Sequence, residues 1–395
     1  MMLSFVEIIF CFVVITLSVP VITLFAQIVL SLLPYTGKPH KAKDQPSVVI
    51  LIPAHNESTS ISPTLLSING QLWSNAEVLV VADNCNDDTA EVARSYGVEV
   101  IERFNDTKRG KGYALDFGIQ HLSSNPPEVV VILDADCLLG KDTISILVND
   151  ALHYQCPIQG LYLMYTTPEA PLKIRIAEFA WTVKNRARPL GFHRLGLPCQ
   201  LMGSGMSFPW EALRQVDLAS GHIAEDMKLG VDLARLNLAP RFCPNALITS
   251  RFPANDEGIK TQRTRWEHGH IGMIVKEGPR LIWQGFRHAN VKLLALALDM
   301  CVPPLALLIL MIITLSGLSV IFGVMTQQLF PWALAIIDLL MVGLAVIFAW
   351  FKFGRSILSF SLLSRAPIYM LVKIPLYVRF IFKRQSEWIR SKRDL

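Results

Sequence analysis

The sequence has few charged residues and no paired cysteines, and both features narrow the classes of protein that it can encode. Charged residues make up 17% of the 395 positions, and the formal net charge is +5. This modest charge argues against a nucleic-acid partner and favours anionic lipid headgroups. The seven cysteines are odd in number and not spaced in pairs. Their pattern argues for reduced thiols rather than a disulfide framework or a zinc site.

The sequence also lacks internal repeats and low-complexity linkers, and its apolar residues concentrate near its two ends. Uncharged or nearly uncharged runs cover residues 8–33, 301–322 and 332–351, and a membrane span requires roughly 20 residues. No basic segment precedes the first run, and the run is longer than a signal-peptide core, so it predicts a retained anchor. The other two runs predict a helical hairpin that turns at Gln327 and Gln328.

Basic residues beside these runs predict the orientation in the membrane. Those that follow the first run or precede the second are Lys38, Lys41, Lys43, Arg280, Arg287 and Lys292. We therefore expect the intervening region to lie in the cytoplasm. The expected location is a bacterial inner (cytoplasmic) membrane, with the chain as an integral protein. Residues 361–382 are apolar but contain basic residues and precede a basic tail, so they predict an interfacial or re-entrant segment.

The region between the membrane segments alternates short β-branched runs with helical patterns, which predicts an α/β fold with a mostly parallel sheet. The predicted organisation has five parts: an N-terminal anchor (1–37), the α/β domain (38–254), an interface helix region (255–290), a transmembrane hairpin (291–354) and an interfacial segment with a basic tail (355–395).

The strongest strand signal covers residues 129–133, five branched aliphatic residues directly followed by Asp134-Ala135-Asp136. Such a run predicts a buried parallel strand that delivers its acids at the carboxyl edge of the sheet. If strand geometry continued through them, both carboxylates would lie on one side. Two such carboxylates repel each other unless a cation is near, and a hard divalent ion takes oxygen ligands. A solvated turn is the alternative for so short a motif.

Other polar residues follow the predicted strands at 47–52 and 77–82. Asn56 and Glu57 come after the first, and Asp83 follows the second, while Asp87 fits equally well as a helix cap. Lys111 lies between two glycines at a predicted helix start, an arrangement that favours an anion.

Three further segments follow. Apolar residues at helical spacing over 172–183 predict a helix that lies on the membrane surface or packs on the sheet. Paired glycines around Ser204 permit close approach to the backbone. Glu225 and Asp226 begin a predicted helix, where an acid usually has a lowered pKa.

The segment Gln262-Arg263-Thr264-Arg265-Trp266 combines guanidinium groups, which can bind phosphate, with an indole, which can offer a flat wall to a sugar ring. A basic, aromatic interface helix is the alternative reading.

Together these motifs resemble those of the processive-type family 2 membrane glycosyltransferases, the group that includes cellulose, hyaluronan and chitin synthases and ceramide glucosyltransferase. The shared pattern is three separated aspartate motifs followed by Q(Q/R)xxRW. It occurs here, in order, as Asp83, Asp134-Ala135-Asp136, Glu225-Asp226 and the segment from Gln262 to Trp266.

The resemblance implies a GT-A fold, a nucleotide-diphosphate sugar donor, expected to be a UDP-sugar, and a divalent metal, Mg²⁺ or Mn²⁺. Its matching residues imply the following roles: nucleoside binding by Pro53, Glu57 and Asp83; nucleoside or phosphate contact by Lys111 and Asp134; metal binding by Asp136; general base chemistry by Asp226; the acceptor site at Gly203, Ser204 and Glu225; and closure over diphosphate and acceptor sugar by Gln262, Arg265 and Trp266.

Two positions depart from the family's pattern. Ala224 stands where the family usually has threonine, and Ala82 stands where many relatives have the first of two aspartates. Neither change removes a proposed catalytic group.

The resulting hypothesis is a membrane-bound inverting glycosyltransferase that acts on a lipid or lipid-linked glycan, with membrane lipids as further partners. Polysaccharide synthesis remains an alternative, although three spans are few for a polymer channel. A non-catalytic nucleotide-sugar-binding scaffold and a nucleotidyltransferase are less favoured, the latter because of the Gln262 to Trp266 segment.

Overall fold

The chain forms two compact units. A computed structural model describes residues 5–34, 37, 40, 45–167, 169–253, 256–327 and 329–382. The described residues of the sheet unit lie within Tyr35–Thr167 and Gly196–Gly269, and those of the helical unit lie within Met1–Pro34, Pro168–Leu195 and His270–Arg384. Several residues used above for orientation lie outside the described residues, namely Lys38, Lys41, Lys43, Gln328 and the basic tail from Lys383 onward.

The described residues of the sheet unit contribute eight strands to one sheet. The strands are β1 (Val48–Ala54), β2 (Ala76–Asp83), β3 (Glu99–Arg103), β4 (Val129–Ile132), β5 (Leu138–Leu139), β6 (Ile158–Tyr165), β7 (Met206–Pro209) and β8 (Arg241–Arg251).

The helices of the described chain are α1 (Phe5–Ser31), α2 (Ile61–Asn69), α3 (Thr89–Ser95), α4 (Lys111–Leu122), α5 (Thr143–Tyr154), α6 (Leu172–Thr182), α7 (Arg188–His193), α8 (Trp210–Leu213), α9 (Glu225–Arg235), α10 (Asp256–Arg287), α11 (Val291–Met300), α12 (Leu305–Thr326), α13 (Leu329–Ala349), α14 (Phe360–Leu363), α15 (Ala366–Leu371) and α16 (Ile374–Phe382). Short π-helical segments cover Val183–Ala187 and Trp350–Gly354.

The sheet has the order β3-β2-β1-β4-β7-β6-β8-β5. Strands β3, β2, β1 and β4 pair in parallel, as do β6 and β8, whereas β7 and β5 pair antiparallel with their neighbours. Among these described strands, all except β5 and β7 therefore point the same way. The predicted α/β fold with a mostly parallel sheet is confirmed.

The core of the sheet unit explains why two helix starts meet at the carboxyl edge of the sheet. Branched side chains of β1, β2 and β4 are buried together with Leu115 of α4 and with Leu229 and Leu233 of α9. The two helices therefore share one core with the parallel strands. Helix α4 follows β3 and starts at the carboxyl edge, as is usual in a parallel α/β layer. Helix α9 follows the antiparallel strand β7, so the chain returns to that edge through the loop that precedes α9.

Among the described residues of the helical unit, three helices are long and apolar enough to cross a membrane, over Glu7–Ser31, Leu305–Thr326 and Phe330–Gly354. They coincide with the three apolar runs of the sequence. Between the second and third, Gln327 adopts a left-handed conformation, and its N–H donates to the Gly323 carbonyl at 2.8 Å.

The helical stripe predicted around residues 172–183 belongs to the helical unit. Arg175 of α6 donates to the Ile357 carbonyl. After the π-helical segment, Arg188 of α7 pairs with Asp299 of α11 at 2.8 Å, and Gln27 of α1 donates to the same carboxylate at 2.6 Å. All three side chains are buried. The packing partners of this segment are therefore other helices of the unit, which apolar spacing alone does not identify.

The apolar segment 361–382 is divided into α14, α15 and α16, whose 4, 6 and 9 residues are each too few to span a bilayer. Its interfacial or re-entrant placement stays a prediction.

The contact of α7 with α1 predicts a strict size limit at Gly191. A Cβ added to Gly191 would lie 1.9 Å from the Gln27 carbonyl oxygen, and backbone cannot move aside cheaply. Gly191→Ala should therefore lower the stability of the detergent-solubilised chain by about 1–3 kcal/mol or more. Gly343→Ala is the matched control, because nothing lies within 4 Å of a Cβ there. Equal thermal unfolding midpoints for the two variants would contradict this packing.

Candidate active site

The two carboxylates of the Asp134-Ala135-Asp136 motif come together through a turn. Strand β4 ends at Ile132, and the Cys137 N–H donates to the Asp134 carbonyl at 3.2 Å. The Thr64 hydroxyl holds the Ala135 carbonyl at 2.8 Å. Strand geometry therefore does not continue through both acids, because the bond from Cys137 to Asp134 closes a turn there.

Oxygen atoms dominate the possible ligands at this turn. One ligand atom each from Asp134, Asp136 and Cys137 lies within 4.8 Å of the others. Burial raises the pKa of the Cys137 thiol well above its usual value, and the two neighbouring carboxylates raise it further. The thiol therefore keeps its proton and is a poor ligand. The two half-buried carboxylates remain, and they suit a hard divalent cation.

Lys111 links this turn to the glycine-rich loop. It begins α4, and its ammonium donates to the Asp134 carboxylate and, at 2.6 Å, to the Gly203 carbonyl. Burial lowers the pKa of this ammonium, whereas the carboxylates of Asp134, Glu225 and Asp226 raise it, and the net pKa lies above that of an ordinary lysine. Lys111 therefore carries its positive charge among several acids.

The glycine beside Lys111 is required by close packing. A Cβ on Gly112 would lie 2.4 Å from the Ser220 carbonyl oxygen. The loop before α9 therefore lies directly on the start of α4.

The loop from Gly203 to Gly205 depends on backbone conformations that favour glycine. Gly203 and Gly205 have φ angles of +91° and +66°. Ser204 between them is fully buried, and its hydroxyl accepts from the Asp134 N–H at 3.0 Å and bonds the Cys137 sulfur at 3.2 Å. The Ser204 side chain therefore fixes the acidic turn. The contact of Ser204 with the acceptor stays a prediction. Burial of the side chain argues against a contact through its hydroxyl.

The acid pair lies in the first turn of α9, as predicted from the sequence. One carboxylate oxygen of Asp226 accepts from the Met227 N–H at 2.8 Å. The other would lie 3.5 Å from a Cβ on Gly203. Burial and the neighbouring Asp226 raise the pKa of Glu225 to about 7, against the opposing effects of Lys111 and Arg265. For Glu225, burial and the neighbouring charge outweigh the helix dipole that predicts a lowered pKa.

Helix α10 brings the predicted Gln262 to Trp266 segment towards this acid pair. Gln262 is buried, and Arg265 and Trp266 are half-buried. A Cβ on Gly269 would lie 3.2 Å from the Cβ of Ala224, so this part of the helix packs on the residue that precedes the acid pair. Arg265 is near enough to lower the pKa of Glu225.

Asp83 ends β2 and has an unpredicted partner in Arg103. The guanidinium of Arg103 donates to the Asp83 carboxylate at 2.5 Å, and the Asn84 amide donates to the same oxygen at 3.1 Å. Arg103 ends β3 in register with Asp83. Arg103 follows a short β-branched run at residues 98–101, and this position was the signal in the sequence that could have identified it.

The remaining predicted residues lie around the ends of β1 and β2. Pro53 lies in β1 opposite Val81. The Glu57 N–H donates to the Thr89 hydroxyl at 2.8 Å. Asp87 accepts from the Thr89 N–H at 3.1 Å, which supports its reading as a stabiliser of the start of α3.

The chain is similar in sequence to known glycosyltransferases over part of its length. The chain is 38% identical over 114 residues to 4,4'-diaponeurosporenoate glycosyltransferase of Staphylococcus aureus (strain USA300), and the aligned part covers 28% of this chain and 28% of that relative. The same enzyme from the bovine strain RF122 / ET3-1 is 37% identical over 107 residues, which cover 26% of this chain and 28% of the relative. These curated relatives are thus matched over little more than a quarter of their length.

Two solved structures are similar at lower identity. The mannosyltransferase PcManGT from Pyrobaculum calidifontis, in complex with GDP-Man and Mn²⁺, is 17% identical with a TM-score of 0.49, covering 87% of this chain and 99% of that one. The glucosyl-3-phosphoglycerate synthase from Mycobacterium tuberculosis, in complex with Mn²⁺, UDP and phosphoglyceric acid, is 17% identical with a TM-score of 0.38, covering 59% and 84%.

Family descriptions match the chain more broadly. Residues 49–168 match Glycosyl transferase family 2. Residues 129–382, more than half of the 395 positions, match Glycosyl transferase family group 2. This second match includes the acidic turn, the acid pair and the second and third of the apolar helices described above. The chain therefore belongs to glycosyl transferase family group 2.

Proposed function

We propose that this protein is a membrane-bound inverting glycosyltransferase of the GT-A type. It transfers a sugar from a nucleotide-diphosphate sugar to a lipid or lipid-linked glycan. The observation that carries the proposal is the meeting of Lys111, the acidic turn and the Glu225-Asp226 pair in one part of the sheet unit. Membership of the family supports the reaction class.

A divalent ion, Mg²⁺ or Mn²⁺, fits the oxygen ligands of the acidic turn, with Asp136 as its proposed ligand. When bound, it would neutralise negative charge on the diphosphate leaving group. The Asp134 carboxylate is paired with the Lys111 ammonium. The Asp136 carboxylate is therefore the one proposed to bind the ion.

The donor site extends from this turn along the carboxyl ends of β1 and β2. Pro53, Glu57 and Asp83 are proposed to hold the nucleoside. Lys111 contributes positive charge close to the diphosphate. The Arg265 guanidinium can add charge-assisted hydrogen bonds to phosphate oxygens, and Gln262 and Trp266 complete the closure over the diphosphate and the acceptor sugar.

Asp226 is the proposed general base. It accepts the proton of the acceptor hydroxyl while that oxygen attacks the anomeric carbon from the face opposite the diphosphate. The product therefore has inverted configuration. The position of the Asp226 carboxylate beside Gly203 supports an acceptor that approaches along the backbone of this glycine, which carries no side chain of its own.

The acceptor is proposed to be a lipid or a lipid-linked glycan, and the chain to belong to the processive-type membrane subgroup. The three apolar helices of the described chain support an acceptor drawn from the membrane. The name of the similar Staphylococcus aureus enzyme, 4,4'-diaponeurosporenoate glycosyltransferase, supports a non-polymeric acceptor. The proposed location is the bacterial inner membrane, with the sheet unit in the cytoplasm.

A donor screen tests this function directly. Purified full-length protein would be incubated with UDP-glucose, UDP-N-acetylglucosamine, GDP-mannose and dTDP-glucose, with Mg²⁺ or Mn²⁺ and a bacterial lipid extract. Release of nucleoside diphosphate and labelling of a lipid-soluble product are expected. Pyrophosphate release would instead indicate a nucleotidyltransferase, and donor binding without turnover a scaffold.

Two acid substitutions should separate donor binding from transfer. Asp226→Asn should lower turnover by about 10²- to 10⁴-fold, because the general base is lost, and should leave donor binding intact. Asp136→Ala should weaken metal-dependent donor binding itself. Calorimetric titration with UDP and Mn²⁺, combined with turnover assays, measures both effects.

Asp106→Ala is the control for these substitutions, since its carboxylate is 95% exposed and pairs only with Arg109 in the described structure. It should match the parent protein in both assays. Parent-like turnover by Asp226→Asn would remove its assignment as the base.

The proposed orientation predicts opposite labelling of two introduced cysteines. Lys141 is exposed beside α5 in the sheet unit, and Gln327 is exposed between α12 and α13. In intact cells a membrane-impermeant maleimide should label Gln327→Cys, and it should label Lys141→Cys only after permeabilisation. Labelling of the parent protein gives the background from its own thiols. The reverse pattern would place the sheet unit outside the cytoplasm.

A further inference from the structure

Two basic side chains of the helical unit meet where the first and third apolar helices end. The Lys352 ammonium, at the end of the third, donates to the Ser31 and Leu32 carbonyls at 2.7 and 2.8 Å. The Arg194 guanidinium donates to the next carbonyl, that of Leu33, at 2.6 Å, and Lys352 lies 3.4 Å from the same oxygen. These two cations therefore share the carboxyl-terminal end of α1.

A third cation joins them beside one aromatic ring. The Arg186 guanidinium lies 5.2 Å from the centre of the Phe353 ring, and the Lys352 ammonium lies 5.5 Å from the same centre. Both Arg186 and Arg194 are close enough to Lys352 to repel its ammonium. Arg186, Arg194 and Lys352 thus form one group of positive charges within the helical unit, called here the basic cluster.

The positive charge of the basic cluster exceeds the negative charge that faces it. Arg186 and Lys352 form no ion pair with a carboxylate among the residues that the structure describes, and Arg186 forms no hydrogen bond there. The last carbonyls of a helix carry only about half a negative charge. The Arg186 side chain is exposed, so its five N–H donors can reach a ligand from outside the chain. The cluster therefore favours an anion.

The position of the basic cluster in the chain indicates which anion is near. The first candidate span ends at Ser31 and the third ends at Gly354, so Lys352 and the carbonyls that it contacts lie at the boundary of the apolar segments. Beside this boundary α1 exposes Ile22 and Val29, which are two helical turns apart and therefore lie on one face. Leu33 is exposed just beyond the helix. Acyl chains can pack along this face while their headgroup lies beside the cations.

We propose that the basic cluster binds the phosphate of an anionic phospholipid, with Arg186 as its principal ligand. This inference goes beyond the glycosyltransferase activity and rests only on the proposed placement of the apolar helices in a membrane. A guanidinium binds two phosphate oxygens at once through parallel N–H groups. Lys352 and Arg194 stabilise the negative charge and would repel a headgroup that carries its own cation, such as choline. The site therefore favours phosphatidylglycerol over phosphatidylcholine.

A defined site differs from the general attraction of basic residues to a charged membrane. That attraction changes lipid affinity by about fivefold for each basic residue near the surface, and it requires the potential of a whole anionic leaflet. Single lipid molecules in neutral detergent create no such surface. A preference that persists in detergent and depends on Arg186 therefore indicates a built site.

The test is lipid binding by the full-length protein in a neutral detergent, followed by native mass spectrometry. The probes are dioctanoyl phosphatidylglycerol and dioctanoyl phosphatidylcholine, each titrated separately. The parent protein should bind phosphatidylglycerol about tenfold more tightly than phosphatidylcholine. Arg186→Gln should lose this preference, because both the charge and the paired N–H donors are removed.

Two variants and a competitor make the test specific. Arg280→Gln is the matched control, because Arg280 is also exposed in the helical unit but makes none of the contacts of the basic cluster. It loses the same charge and should keep the parent's preference. Arg186→Lys keeps the charge without the paired donors and should have an intermediate preference. Inorganic phosphate at equal concentration should not displace the lipid, because it has no acyl chains. Thermal unfolding midpoints establish that each variant is folded.

Several outcomes would overturn the lipid site. One is equal affinity of the parent protein for the two lipids, and another is the same loss of preference in Arg280→Gln as in Arg186→Gln. Displacement of phosphatidylglycerol by inorganic phosphate would assign the cluster to a free anion instead of a lipid. None of these results depends on turnover, so a failed donor screen would leave the lipid site standing, and loss of the lipid site would leave the proposed reaction standing.

Discussion

The site depends on one partly buried ammonium, that of Lys111, among several carboxylates. At an effective dielectric constant of about 20, two carboxylates about 4 Å apart repel each other by about 4 kcal/mol. Four carboxylates lie around the start of α4, those of Asp134, Asp136, Glu225 and Asp226. Lys111 donates to the carboxylate of Asp134, and the charges of Asp134, Glu225 and Asp226 raise the pKa of its ammonium. Because the same ammonium also holds the Gly203 carbonyl, it fixes the loop that borders the proposed acceptor site.

The architecture of the sheet unit makes this concentration of charge possible. Strands β1, β2 and β4 run in parallel, so their carboxyl ends meet at one edge. Helices α4 and α9 share the core beneath these strands, and each begins with a residue of the site. The positive ends of both helix dipoles therefore oppose part of the acidic charge. Hydrophobic packing far from the chemistry thus determines which charged groups are neighbours.

The sequence predicts the elements of this site better than its contacts. Five branched residues before Asp134 identify β4, and the glycines around Lys111 identify the start of α4. The pairing of Lys111 with Asp134 and the bond of Ser204 to the acidic turn join residues 23 and 70 positions apart in the chain. The raised pKa of Glu225 depends first on its burial. Local patterns in the sequence report neither. Apolar spacing likewise identifies the buried face of α6 but not the helices that it contacts.

The division of the chain between its two units has a practical consequence for protein production. The polypeptide leaves the sheet unit after Thr167, returns at Gly196 and leaves again after Gly269. No single truncation can therefore yield the sheet unit without residues 168–195. A fragment that contains the sheet unit alone would need a linker between Thr167 and Gly196 in their place. Removal of the N-terminal apolar helix alone would leave the buried Arg188–Asp299 pair without the Gln27 amide that completes it.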